Sequence, residues 1–203
     1  MKTIITLILF FSVNFHLNEL FESQGYHVGD FATDFELKNI DGQMISMNNY
    51  PDAKGFIIAF TCNTCPFSIL YEQRIIALSN KYSLKGYPLI AINPNDPDLQ
   101  PGDSFENMQR RAHDKNYPFP YLKDETQEVA RTYGATNTPH IFILKKTDGK
   151  YEVMYTGTID NNPKDPDSVS KHFVDDAMSE ILSGKAVSEP ETKAIGCGIK
   201  WKM

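Results

Sequence analysis

The chain has 203 residues, 41% of them hydrophobic and 12% aromatic, and a formal net charge of -6. This length and apolar content predict one folded domain with a sizeable core and exclude a disordered chain. The mild negative charge gives no basis for nucleic-acid binding.

The N-terminus has the pattern of a secretory signal. Lys2 precedes a short apolar run over 4–13, which is too short for a comfortable membrane span. Because no small-x-small cleavage triplet stands out, we predict that residues 1–24 form either a signal peptide or a retained N-terminal anchor. The folded domain, 25–187, and a C-terminal tail, 188–203, are then expected outside the cytoplasm, in a bacterial periplasm.

The first half of the domain is predicted to contain a hairpin and a parallel strand pair. Alternating apolar residues over 35–47 flank an Asp41-Gly42 turn, which is typical of a β-hairpin. The apolar run 55–60 predicts a fully buried strand. A helix follows, and the apolar stretch 87–93 is expected to lie parallel to 55–60 through a right-handed crossover. The residues predicted for the buried helix face are Phe67, Leu70, Tyr71, Ile75, Leu78 and Tyr82.

The second half alternates helices with extended segments. The Pro- and Asp-rich loop 94–103 is a candidate wall of an active site. After it we predict, in order, a helix capped by Ser104, an extended segment 117–122, a helix ended by Gly134, a hairpin 138–157 with an Asp148-Gly149 turn, and a last helix containing Val169 and ended by Gly184.

Cys62 and Cys65 form a CxxC motif at the junction between the buried strand and its helix. A helix N-terminus favours a thiolate, so we predict Cys62 as the nucleophile. Cys65, one turn further along, is the predicted resolving thiol. A structural disulfide, half of a zinc site, or two buried thiols are the alternatives, although a zinc site lacks further ligands at matching spacing.

Cys197 is the remaining cysteine. It lies between Gly196 and Gly198, which predict a flexible tail, and it is a candidate additional redox thiol. The alternative is a small buried hydrophobic residue, since that is the commoner role of a lone cysteine.

The order of elements resembles the thioredoxin fold, an α/β fold with a central mixed sheet flanked by helices. The N-terminal hairpin is similar to that of peroxiredoxins, and the chain resembles the peroxiredoxin-like (redoxin, AhpC/TSA-like) group. The segments that carry this resemblance are 62–66, 91–96, 117–122, 124–127, 133–135, 157–160 and 195–201.

The resemblance implies that Pro139 is cis and lies beside the cysteine pair. Thr138 would then offer main-chain groups to an extended partner segment by β-strand addition. Substrate binding is therefore predicted at Thr138 and Pro139.

The chain departs from the motif of peroxiredoxins and also from that of thioredoxins. The Pro-x-x-x-Thr-x-x-Cys element of peroxiredoxins is absent, because Gly55 and Ala59 occupy its positions when counted from Cys62. Thr138 and its neighbours stand where the peroxidase arginine is expected. Thioredoxins keep a buried aspartate near the place of Phe56, and the candidates to replace it in proton transfer are Lys54, Asp124 and Glu125, none of which the sequence singles out.

Together these features predict a thiol-disulfide oxidoreductase that forms a mixed disulfide with a protein partner. A peroxiredoxin-like thiol peroxidase, with peroxide as substrate, is the alternative, and a non-enzymatic copper-binding protein is a further one, because a cysteine pair suits Cu(I). In the predicted function no cofactor or metal is needed, since the two thiols store the electrons. No nucleic acid and no membrane span beyond the N-terminal segment are expected.

Overall fold

The structure is a computed structural model, which describes residues 25–203. The predicted signal peptide or anchor therefore lies outside the described residues. Among residues 25–203, no helix combines the length and the apolar character needed to cross a membrane.

The strands of the described residues are β1 (Phe31–Ala32), β2 (Leu37–Asn39), β3 (Met44–Ile45), β4 (Gly55–Phe60), β5 (Leu89–Asn93), β6 (Tyr121–Lys123), β7 (Asn137–Thr138), β8 (His140–Thr147), β9 (Lys150–Gly157) and β10 (Cys197–Gly198). The α-helices are α1 (Pro66–Tyr82), α2 (Phe105–Lys115), α3 (Glu128–Tyr133) and α4 (Phe173–Leu182). Single 3-10 turns lie at Met47–Asn49, Ser83–Lys85, Pro101–Asp103 and Pro166–Ser168.

Within residues 25–203 the main sheet has eight strands in the order β1-β9-β8-β4-β5-β6-β2-β3. β4 pairs with β5 in parallel and with β8 antiparallel, so the sheet is mixed, as predicted. Every residue of β4 is buried, because helices cover both faces of the sheet. The strand that leads to the cysteines is thus the centre of the fold.

Both predicted hairpins are confirmed. Leu37 pairs with Ile45 across the Asp41-Gly42 turn, and β8 pairs with β9 across Asp148-Gly149. Gly42 and Gly149 have φ values of 88° and 80°, a region that favours glycine.

Two helix predictions need correction. Leu70 is 42% exposed, whereas Glu72 is buried through its contact with Arg111, so the buried face of α1 is displaced from the predicted one. The last helix begins at Phe173, since Val169 follows a separate 3-10 turn.

The C-terminal tail packs against the domain and is held by hydrogen bonds. The flexible tail predicted from its glycines is therefore wrong. Ile199 is buried, and its N–H donates to Thr136 O at 3.2 Å. The Lys200 N–H donates to Asn95 Oδ1 at 2.9 Å, and the Lys202 N–H donates to Gln127 Oε1 at 2.7 Å. The tail therefore packs against the same end of the sheet as the cysteine pair.

Candidate active site at the cysteine pair

Cys62 and Cys65 lie in the turn between β4 and α1, at the predicted place. The helix begins at Pro66, whose missing N–H costs least in a first turn, and Cys65 is its N-cap residue. Each cysteine is only 4% exposed. The pair is free of a disulfide in this structure.

Thr138 contacts both thiols. Its hydroxyl oxygen lies 3.1 Å from Cys62 Sγ, and its carbonyl oxygen lies 3.0 Å from Cys65 Sγ. The Thr138-Pro139 peptide bond is cis, as the resemblance implied. The structure thus brings Thr138 and Pro139 beside the pair, and their role in substrate binding remains a prediction.

The surroundings of the two thiols shift their pKa values in opposite directions. The hydrogen bond between them lowers the pKa of Cys65 to about 4, helped by Cys197 and by the Ser68 N–H. The same bond raises the pKa of Cys62, as do burial and the Asp103 charge. The prediction had placed Cys62 at the helix N-terminus, but Cys65 is the residue that occupies it.

Asp103 holds the turn between the two cysteines, and the sequence did not single it out. Its carboxylate accepts the Asn63 N–H at 2.6 Å and the Thr64 hydroxyl at 2.8 Å. It also accepts the side-chain amides of Asn93 and Asn95, at 3.2 and 2.8 Å. Asp103 is fully buried, and it ends the loop that we predicted as a wall of the site.

Cys197 joins the pair in space, as the prediction of an additional redox thiol requires. Its N–H donates to Cys65 Sγ at 3.3 Å. Burial, followed by the neighbouring Cys65, raises the pKa of Cys197 to about 11. Cys65 is therefore the member of the pair that the Cys197 backbone contacts.

Neither His140, which directly follows Pro139, nor the three proton-transfer candidates hydrogen-bonds to the cysteines. His140 Nε2 lies 3.0 Å from Thr156 Oγ1, and burial lowers the pKa of this imidazole to about 4. Asp124 accepts the Ala130 N–H at 2.8 Å, and Glu125 lies 3.7 Å from Lys202 Nζ in an ion pair. Lys54 packs beside Gly86. None of the three proton-transfer candidates reaches the pair.

In the part of the chain that the structure describes, no group of three or more His, Cys, Asp or Glu side chains is arranged to hold a metal ion.

Comparison with known proteins places the chain in a family. Residues 28–156, more than half of the sequence, match the AhpC/TSA family. The chain belongs to the AhpC/TSA family. The predicted recognition as a redoxin-like protein is thereby confirmed.

Curated relatives of this AhpC/TSA protein indicate its reaction class. It is 26% identical over 164 residues to the thiol-disulfide oxidoreductase ResA of Geobacillus thermodenitrificans, a match that covers 78% of this chain and 87% of the relative. Together with the family, this supports the predicted enzyme class, a thiol-disulfide oxidoreductase.

Solved structures agree on the fold. An uncharacterized conserved protein of Geobacillus kaustophilus is 37% identical, with a TM-score of 0.79, and the match covers 87% of this chain and 93% of that chain. The exposed lipoprotein thioredoxin of Streptococcus pneumoniae is 17% identical, with a TM-score of 0.54, over 75% of this chain and 99% of that chain. The latter likeness shows the fold alone, and it confirms the predicted thioredoxin-like architecture.

Proposed function

We propose that Cys62 and Cys65 are the redox-active pair of this oxidoreductase, and that they exchange a disulfide with a protein partner through a mixed disulfide at Cys62. The observation that carries the proposal is the contact of Thr138 with both sulfurs, at 3.1 and 3.0 Å. One residue of the cis-peptide loop thus fixes the position of both thiols relative to the edge where an extended partner segment would pair.

The exchange balances without a cofactor. A partner thiolate attacks Cys62 Sγ of the oxidised pair, the bond to Cys65 breaks, and Cys65 leaves as a thiolate. A second partner thiolate then attacks the partner sulfur of the mixed disulfide and expels Cys62. The partner loses two electrons, and the pair gains them. The opposite direction uses the same steps in reverse, with Cys65 as the resolving thiol.

The surroundings of Cys65 suit its role as the thiolate that leaves when a partner attacks Cys62. The largest contact that lowers its pKa, the hydrogen bond from the Cys62 thiol, is lost when Cys62 is bonded to the partner, but the contacts from Cys197 and the Ser68 N–H remain and stabilise the leaving thiolate. A thiol with a lower pKa leaves faster from a disulfide. The low pKa of Cys65 is therefore compatible with Cys62 as the sulfur that bonds to the partner.

An apolar surface beside the pair supports a protein partner. Ile69 and Leu70, one turn into α1, are 47% and 42% exposed. Exposed aliphatic side chains of this size next to a reactive centre are a common feature of protein docking surfaces.

The arginines of the chain favour disulfide exchange over the peroxidase alternative. Arg74 pairs with Asp160, and Arg111 pairs with Glu72. Arg131 stacks on Trp201 at 4.3 Å, and Arg110 bonds to Asn107. All four arginines lie within the described residues, and none contacts a thiol of the pair. No arginine guanidinium is therefore close enough to the pair to stabilise a peroxidatic thiolate.

We place this exchange outside the cytoplasm, in a bacterial periplasm, on the strength of the signal-like pattern of residues 1–24. A dithiol there needs a partner that keeps it reduced or oxidised, which fits the proposed exchange. Fusing a reporter that is active only in an oxidising compartment to the C-terminus tests the location. A fusion protein that accumulates in full but shows no reporter activity would contradict it.

The catalytic assignment is tested by stopped-flow reaction of the reduced protein with a small disulfide and, separately, with hydrogen peroxide. We expect fast disulfide exchange and a slow reaction with peroxide. Cys62→Ser is expected to lose the fast exchange reaction, whereas the matched variant Cys65→Ser accumulates the mixed disulfide at Cys62, because the resolving thiol of the pair is missing. An adduct that forms on Cys65 in Cys62→Ser at the wild-type rate would show that the roles are reversed. Rapid peroxide consumption through Cys62 would establish the peroxidase instead.

A further inference from the structure

The C-terminal strand β10 occupies the edge that a partner segment would use. β10 pairs antiparallel with β7, and Cys197 stands opposite Thr138 in the register. Thr138 is the residue whose main chain is predicted to receive an extended partner. The chain therefore already carries a strand of its own at that edge, and this strand contains a cysteine.

Gly196 permits the close approach of this strand. A Cβ at position 196 would lie 2.3 Å from Thr138 O, a separation at which the two backbones must move apart. A Cβ at Gly198, two residues further along the same strand, would meet nothing within 4 Å. The chain thus offers one position where a methyl group displaces the strand and a neighbouring one where it does not.

Cys65 is the sulfur that connects the strand to the pair. It accepts the Cys197 N–H at 3.3 Å, and both it and Cys62 contact Thr138, the residue opposite Cys197 in the strand pair. A disulfide that moves through these three sulfurs must pass through Cys65.

We propose that β10 is an internal partner strand, and that Cys197 takes over the disulfide of the Cys62–Cys65 pair by attacking Cys65. The proposal rests on the proposed function, which supplies the oxidised pair. The resulting Cys65–Cys197 bond fastens the strand to the Thr138 edge, so this form of the protein excludes an external partner from that edge.

The step conserves atoms and electrons. The Cys197 thiolate attacks Cys65 Sγ, the Cys65–Cys197 bond forms, and the Cys62–Cys65 bond breaks. Cys62 leaves as a thiolate and takes up the proton that Cys197 lost. One disulfide replaces another, and no further oxidant is required.

Oxidation of the pair itself prepares Cys197 for this attack. Burial is the largest cause of the raised pKa of Cys197 and is unchanged by oxidation, but the other two causes, the hydrogen bond to Cys65 and the Cys65 charge, disappear when Cys65 is held in a disulfide. Lys200 acts in the opposite sense and lowers the pKa of Cys197. The pKa of Cys197 is thus expected to fall once the pair is oxidised, so that more of this thiol is present as thiolate.

The test oxidises the full chain with oxidised glutathione, blocks free thiols by alkylation, and locates the disulfides by peptide mass spectrometry. We expect both Cys62–Cys65 and Cys65–Cys197 bonds in the wild type, and an intramolecular Cys65–Cys197 bond in Cys62→Ser. In Gly196→Ala the Cys65–Cys197 fraction is expected to fall at least about 10-fold, because the added methyl group overpacks the contact with Thr138. Gly198→Ala is expected to match the wild type.

The proposal is overturned if the wild type contains only Cys62–Cys65 and Cys62→Ser yields only glutathione adducts. Equal Cys65–Cys197 fractions in the two alanine variants would overturn the role of strand docking. If the wild type does not form even the Cys62–Cys65 bond, the proposed function itself fails, so the two failures are distinguishable.

Discussion

The carboxylate of Asp103 accepts the backbone N–H of Asn63 at 2.6 Å, and this bond joins the turn between the cysteines to a loop 40 residues away. Asn63 returns the contact, since its side-chain amide donates to Gly102 O at 2.9 Å. The turn therefore has a fixed backbone before any partner arrives, and a buried negative charge lies close to Cys62.

Removing that charge is expected to shift both stability and thiol ionisation. In Asp103→Asn the amide cannot accept all of the bonds that the carboxylate accepts, so the free energy of unfolding should fall by about 1–3 kcal/mol. Since the Asp103 charge raises the pKa of Cys62, its loss should lower that pKa. Chemical denaturation and thiol titration measure the two effects. Asp98→Asn makes the same charge change at an exposed site of the same loop and should show neither.

The Thr138 hydroxyl is expected to matter for exchange separately from the Thr138 main chain. Thr138→Val keeps the shape and the carbonyl contact with Cys65 but removes the hydroxyl 3.1 Å from Cys62 Sγ. Losing one hydrogen bond of ordinary strength should slow exchange with a small disulfide about fivefold. Thr138→Ser, which restores a hydroxyl, should recover the rate. Equal rates for wild type and Thr138→Val would show that the hydroxyl has no part in the reaction.

Local patterns predicted most of the elements, whereas the contacts that complete the site join distant segments. The Asp-Gly turns, the buried run of β4 and Pro66 at the helix start are all signals within a few residues. Asp103 reaches Asn63 across 40 residues, and Cys197 reaches Cys65 across 132. Nothing in the local sequence of either residue specifies its partner. The helix begins at Pro66, so Cys65 occupies the N-terminal position that the sequence pattern had assigned to Cys62.

The position of the thiolate is directly measurable. Because the pKa of Cys65 is lowered to about 4, the reduced protein should carry one thiolate at neutral pH. Ultraviolet absorbance of the thiolate against pH should show this ionisation in the wild type. We expect it to vanish in Cys65→Ser and to persist, at a somewhat higher pH, in Cys62→Ser, where the Ser68 and Cys197 N–H groups remain. The reverse pattern would place the charge on Cys62.

His140 should make the protein less stable in acid. Its imidazole is 9% exposed, and burial lowers its pKa from the ordinary value of about 6.5 to about 4. Between these two values the unfolded chain binds a proton that the folded chain does not, so the free energy of unfolding falls as the pH falls, by at most about 1.4 kcal/mol per pH unit. Below the lower value this contribution stays constant.

Chemical denaturation across that pH window tests the assignment to His140. In His140→Gln the contribution of His140 to the slope of the free energy of unfolding against pH should disappear. The lost bond to Thr156 lowers the free energy of unfolding at every pH and does not affect this slope. His113, whose side chain is 89% exposed, provides the matched control, and His113→Gln should retain the wild-type slope. An unchanged slope in His140→Gln would assign the acid sensitivity to other groups, because a neutral side chain at position 140 cannot take up the proton.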